Sequence, residues 1–169
     1  HMMKCLPILL LTFSVSVNAQ TIRIADNNVN APTGANIFSG TSALQNAINA
    51  AQQDDIVYIQ PSVTSYGDAT VGKRITIKGA GFGIAELGSR SSTVNNITIV
   101  NSDNGTNSIS EAKFTGFSFA GISFAAGTGG TPYNNLVFEN ISGSTFNHTN
   151  CVPAVDNLIL RNSLVGSIT

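Results

Sequence analysis

At 169 residues the chain is long enough for one domain with its own core, and with 42% hydrophobic residues it is not disordered by composition. Only 10% of its residues are charged and its net charge is −1, which gives no electrostatic case for binding nucleic acid or an anionic membrane surface. Low charge, 16 glycines and abundant Asn, Ser and Thr suit a β-rich extracellular protein with many tight turns.

The N-terminus reads as an export signal. Lys4 supplies the positive region, Leu6 to Val17 is mostly apolar, and Val17-Asn18-Ala19 is a small-residue cleavage site. Residues 1–19 are therefore expected to leave, with Gln20 as the first mature residue and a secreted or cell-surface destination. The apolar run is too short to span a bilayer comfortably, so no span is expected in the mature chain. Cleavage would also remove Cys5. Cys151 would then stand alone, without an intrachain disulfide and with no base identifiable beside it.

Ile22 and Ile24 flank Arg23 in a short alternating strand, and a polar loop follows over 26–40. Leu44, Ala47, Ile48 and Ala51 then recur at helical spacing, predicting one helix over about 42–52, with Thr41 or Ser42 as N-cap. Asp54-Asp55 closes the turn after it. Beyond this point the period becomes two. Apolar pairs stand at 57/59, 75/77, 97/99, 117/119, 136/138 and 158/160, and their first members are 18, 22, 20, 19 and 22 residues apart. Strands recurring about every 20 residues indicate a solenoid with one coil per repeat.

Gly79, Asn101, Asn140 and Asn162 follow the strands. These residue types enter the left-handed region cheaply, and stacked coils would align them so that the Asn amides bond along the stack. The middle coil has two readings, because Phe114-Thr115-Gly116-Phe117-Ser118 offers a second strand and bend that would shift the register. An antiparallel sandwich is the competing architecture, but its strands usually recur every 8–12 residues. In the 20-residue register Ile75, Ile77, Ile97, Ile99, Leu136, Phe138, Leu158 and Leu160 point inward, while Thr76, Thr98 and Val137 point outward.

Ser42 to Ile48, then Asp55 to Ile59, then Lys73 to Gly79, resemble the opening of pectin-lyase-like right-handed parallel β-helices. The resemblance covers about residues 21–169. It implies an all-β right-handed parallel β-helix of about 20 residues per coil, with a short N-terminal helix covering the end of the first coil. Residues 20–169 would then be the N-terminal cap and first coils, incomplete at the C-terminus, where uncapped strand edges are expected to drive self-association. The superfamily includes lyases, hydrolases, esterases, adhesins and phage spikes, so the resemblance speaks more to fold than to activity. Calcium is implied only through its lyase members.

No complete catalytic constellation is visible. Gly79-Ala80-Gly81-Phe82-Gly83 has the glycine density of a dinucleotide-binding loop, but position 84 is Ile and no helical pattern follows, so it reads as a coil corner. Polysaccharide-cleaving β-helices need clustered acids or a held base. Here the acids are sparse, and the adjacent Asp54-Asp55 pair ends a helix. Glu139 and Arg161 each precede a bend Asn at a 22-residue offset, which puts them on successive coils about 4.8 Å apart. They are expected to form an ion pair and are the candidate substrate-binding residues. His148 reads as a loop residue. Of the sequons at Asn96, Asn104, Asn140 and Asn147, two overlap predicted strands or bends. The expected function is the N-terminal part of a polysaccharide-binding or polysaccharide-degrading protein whose catalytic groove lies outside this chain. The alternative is a non-catalytic, adhesin-like or spacer β-helix.

Overall fold

The structure, a computed structural model, describes residues 19–81, 91–101, 108–125, 132–147 and 155–169. Residues 1–18, which the sequence reads as an export signal, Cys151, His148, Asn104 and the glycine-rich stretch beyond Gly81 lie outside the described residues.

The chain forms a parallel β-solenoid. One sheet has the order β13(Ile159–Arg161)–β10(Val137–Glu139)–β7(Lys113–Thr115)–β5(Thr76–Gly79)–β3(Ile56–Ile59)–β1(Ile22–Asp26)–β2(Ile37–Ser39). A second has the order β14(Leu164–Ile168)–β11(Ser142–Asn147)–β8(Ser118–Phe124)–β6(Thr93–Ile99)–β4(Ala69–Val71). A two-stranded sheet pairs β12(Val155–Asp156) with β9(Tyr133–Asn134). Every pairing between these strands is parallel. Parallel neighbours need a crossover, and from β3 onward each step along the first sheet passes through a strand of the second.

The predicted helix is α1(Ala43–Ala50), with Ala43, Leu44, Ala47 and Ile48 buried. Ser42 holds the N-cap position, but its side chain makes no capping hydrogen bond. The helix packs on β1, β2, β3 and β4 and so covers the first coil. Its C-terminal carbonyls are met from the next coil: Lys73 Nζ donates to Ile48 O, Asn49 O and Ala51 O at 3.1, 2.9 and 2.8 Å. A cation at a helix C-terminus also complements the helix dipole.

The regular 20-residue register is corrected in the middle of the chain. Along the first sheet the partners run Ile56, Thr76, Lys113, Val137 and Ile159, so the steps are 20, 37, 24 and 22 residues. Ile97 and Ile99 do not continue the column of Ile77. They lie on β6 in the second sheet, aligned with Ile122 and Phe124. Phe114, the alternative strand centre, takes the place over Ile77. Phe117 and Phe119 go instead to the corner and to the second sheet. The bend residue above Gly79 is accordingly Gly116 (φ +73°), followed by Asn140 (φ +52°) and Asn162 (φ +48°). Asn101 is a buried position after β6, where its N–H donates to Tyr133 Oη at 3.2 Å.

The alternation itself is as the sequence indicates. Ile75, Ile77, Ile97, Ile99, Leu136 and Phe138 are buried, whereas Thr76, Thr98 and Val137 on the outward faces are not. Leu158 and Leu160 pack against the core but remain half-buried, because they lie on the last described coil. Inside the coils aromatic rings continue the stack. Phe114 lies flat against Phe138 (centroids 4.6 Å apart, planes 7°), and Phe138 meets Phe146 edge-on at 5.0 Å. Two buried tyrosines tie separate segments through their hydroxyls: Tyr66 Oη donates to Ala25 O and Gln60 O, and Tyr133 Oη donates to Ala125 O. Burial pushes the Tyr66 phenol up to about 12. No helix among the described residues is long and apolar enough to cross a membrane.

Candidate functional site

A parallel strand points alternate side chains outward, and in-register stacking turns each outward position into a column along the solenoid axis. On the first sheet the two outward columns are Tyr58–Lys78–Thr115–Glu139–Arg161 and Ile56–Thr76–Lys113–Val137–Ile159. This face therefore carries Lys78, Lys113, Glu139 and Arg161 on one surface.

The expected Glu139–Arg161 pair forms, with Arg161 Nε donating to Glu139 Oε2 at 2.7 Å. The sequence reasoning missed a third member. Lys113, one coil below, binds the other oxygen, Glu139 Oε1. Lys113 aligns with Val137, two residues from Glu139, only when a 37-residue coil precedes it, so the 20-residue spacing concealed it. Hydrogen bonding from Lys113, with that from Arg161 added, holds the Glu139 carboxyl below its ordinary range against a smaller desolvation effect.

A second ladder runs along the bend that precedes these strands. Arg74 grips Asp54 with two bonds of 2.7 and 2.8 Å and reaches Glu111 at 3.6 Å on the coil above. The hydrogen bonds from Arg74 lower the Asp54 carboxyl. Asp54 and Glu111 have positive φ, as do Asn135 and Asn157 further along the same column. There Asn157 Nδ2 donates to Asn135 Oδ1, an amide-on-amide bond at the bend before the strands and not among Asn101, Asn140 and Asn162, for which the sequence indicates it. Asp55, next to Asp54, is buried and structural: it accepts from Thr21 N, Gln52 N and Arg23 Nε.

These contacts limit the chemistry. A carboxyl held charged between two cations is a poor proton donor near neutrality, so Glu139 is not poised as a general acid. Calcium needs six to eight oxygen ligands. Both Glu139 oxygens face cations and Asp54 is engaged by Arg74, so the carboxylates of this face do not fit such a site. Among the described residues no group of three His, Cys, Asp or Glu is placed to hold a metal ion.

Binding chemistry is better served. Lys78 is exposed and makes no ion pair among the described residues. It borders a groove of about 400 Å³ lined by Lys78, Gly79, Ala80, Gly81, Thr115, Gly116 and Asn140. The groove exists because two coils approach closely here. Gly81 N–H donates to Gly116 O at 2.6 Å, and Gly116 N–H bonds to Asn140 O at 3.0 Å. A larger depression of about 770 Å³ lies at the cap-end corner, between the loops around Asn28 and Ser62. The one ionisable side chain lining it, Asp26, is buried and accepts from Asn28 N and Nδ2. Comparison with protein families, curated proteins and solved structures gives no match.

Proposed function

We propose that this chain is the cap and first coils of an exported, pectin-lyase-like β-helix that holds a polysaccharide along the outer face of its first sheet. One observation carries the reading: Lys78, which makes no ion pair among the described residues, stands in register between Tyr58 and Thr115, at the edge of a groove lined by residues of successive coils. A half-buried ring, an exposed ammonium and hydroxyl and amide groups at coil spacing suit an extended sugar chain bearing carboxylates. The acids of this face are held by cations, which favours binding over bond cleavage. The resemblance of Ser42 to Gly79 to the opening of that superfamily supports the same reading, as does the export-like segment 1–19.

The test is titration with polygalacturonate and with a neutral glucan. Polygalacturonate is expected to bind, with no unsaturated product released whether or not calcium is added. Lys78→Ala is expected to weaken binding about tenfold, the loss of one charge-assisted hydrogen bond. Absence of binding, or binding indifferent to Lys78, would leave the adhesin-like or spacer reading. That reading is favoured by the closure of both charge ladders.

A further inference from the structure

The depression of about 770 Å³ at the cap-end corner is built from the loops that follow β1 and β3, well inside the chain. Its size is that of a ligand pocket, for which about 300–1,000 Å³ is usual. Its walls brace each other: Asn27 Nδ2 donates to Thr64 O and Ser65 O, and Asn28 Nδ2 donates to Pro61 O. Asp26 lines the depression and is only 6% exposed. Its Oδ1 accepts from Asn28 N and Nδ2, whereas Oδ2 receives no hydrogen bond and no cation pairs with the carboxylate among the described residues. Asn27 Oδ1, in the same wall, is buried without a donor. None of the lining residues carries a positive charge. Burying a carboxylate without a countercharge is costly, so this corner is electronegative and uncompensated.

We infer that this corner is a second binding site, one for a small organic cation: a primary ammonium on a hydroxylated body, as in an amino sugar. The ammonium supplies the countercharge and the donors that Asp26 Oδ2 lacks. The rest of the wall fits the body. The side chains of Asn30, Gln60 and Thr64 make no hydrogen bond among the described residues and offer amides and a hydroxyl to sugar hydroxyls. Val29 and Val63, 100% and 68% exposed, stand with Pro32 and Pro61 as apolar surface for the C–H groups of a ring. A bare divalent metal fits less well. Calcium takes six to eight oxygens, this wall holds a single carboxylate, and the space far exceeds one ion. The charge preference is opposite to that of the Lys78 groove, so the two sites take different ligands.

Calorimetric titration of the full chain with a glucosamine trimer tests this, in mildly acidic buffer where the sugar amines are charged. The N-acetylated trimer, with the same rings and no charge, runs alongside. The glucosamine trimer is expected to bind about tenfold more tightly or better, the worth of one charge-assisted hydrogen bond. Asp26→Asn keeps an acceptor for Asn28 and removes the charge, so the difference between the two sugars should disappear. Val63→Lys puts a cation on the exposed rim and leaves the buried wall intact, so it should weaken the glucosamine trimer by a similar factor even if Asp26→Asn disturbs the fold. Equal binding of the two sugars, no binding of either, or an affinity unchanged in Val63→Lys would each overturn the proposal. Displacement of the trimer by an equal concentration of calcium would overturn it too, since the corner would then be a metal site.

Discussion

Replacing Phe138 with Ala is expected to remove about 3–5 kcal/mol of stability. The ring is fully buried, stacks flat on Phe114 and meets Phe146 edge-on, so it joins the two sheets across the interior. Truncation removes the transfer energy of the ring and leaves a cavity that two separate strand ladders prevent from collapsing. It also ends two ring–ring contacts, each worth about 0.5–1.5 kcal/mol beyond area alone. Against a typical net stability of about 5–15 kcal/mol the loss is large. Val29→Ala, at a fully exposed position, should change stability by no more than about 0.5 kcal/mol. Urea denaturation of the two variants measures the contrast. A loss of about 1 kcal/mol or less at Phe138 would mean that the interior stack is not closely packed.

An equally large effect is expected from a single methyl group at Gly79. A Cβ there would press into the Gly116 carbonyl oxygen and lie 2.7 Å from Ser92 Cβ and 2.8 Å from Phe117 Cβ. None of these is the far end of a flexible side chain, so relief requires two coils to separate. Gly116 cannot move aside easily, since its own φ is +73° and it carries the bend. Gly79→Ala should therefore cost about 3 kcal/mol or more. Gly67→Ala is the control: its nearest neighbour is Thr41 O at 3.7 Å, an ordinary contact, and the change should be near neutral. Thermal melting of both variants decides the matter, and equal melting temperatures would refute the close coil contact.

The sequence and the structure agree where a local pattern has one reading. The α1 face repeats at helical spacing. The strand at Ile75 and Ile77 alternates cleanly, and Glu139 and Arg161 precede matching bend residues at one coil's separation. They part where a local pattern is shared by different places. An inward-outward alternation marks a strand but not its sheet, so Ile97-Thr98-Ile99 looks like Ile75-Thr76-Ile77 although the two lie on different faces of the coil. A coil of 37 residues broke the spacing that would have separated them. Lys113 was lost to the charge ladder for the same reason, since its place beside Glu139 exists only in the true register. The Tyr66 and Tyr133 ties have no sequence signal at all, because each hydroxyl reaches carbonyls through the fold. Tyr66 and its acceptor Ala25 are 41 residues apart.

The central claim is the register of the first sheet, from which the charge ladders, the groove and the glycine contact all follow. It is tested most directly by disulfide trapping in a chain with Cys5→Ser and Cys151→Ser. Lys78→Cys combined with Thr115→Cys places the thiols on adjacent strands about 4.8 Å apart, within reach of a disulfide, and should oxidise rapidly and intramolecularly. Lys78→Cys combined with Val100→Cys, the pairing that would set Ile99 over Ile77, should remain reduced, because Val100 directly follows β6 of the second sheet. Oxidation of the 78–100 pair with the 78–115 pair left reduced would contradict the register.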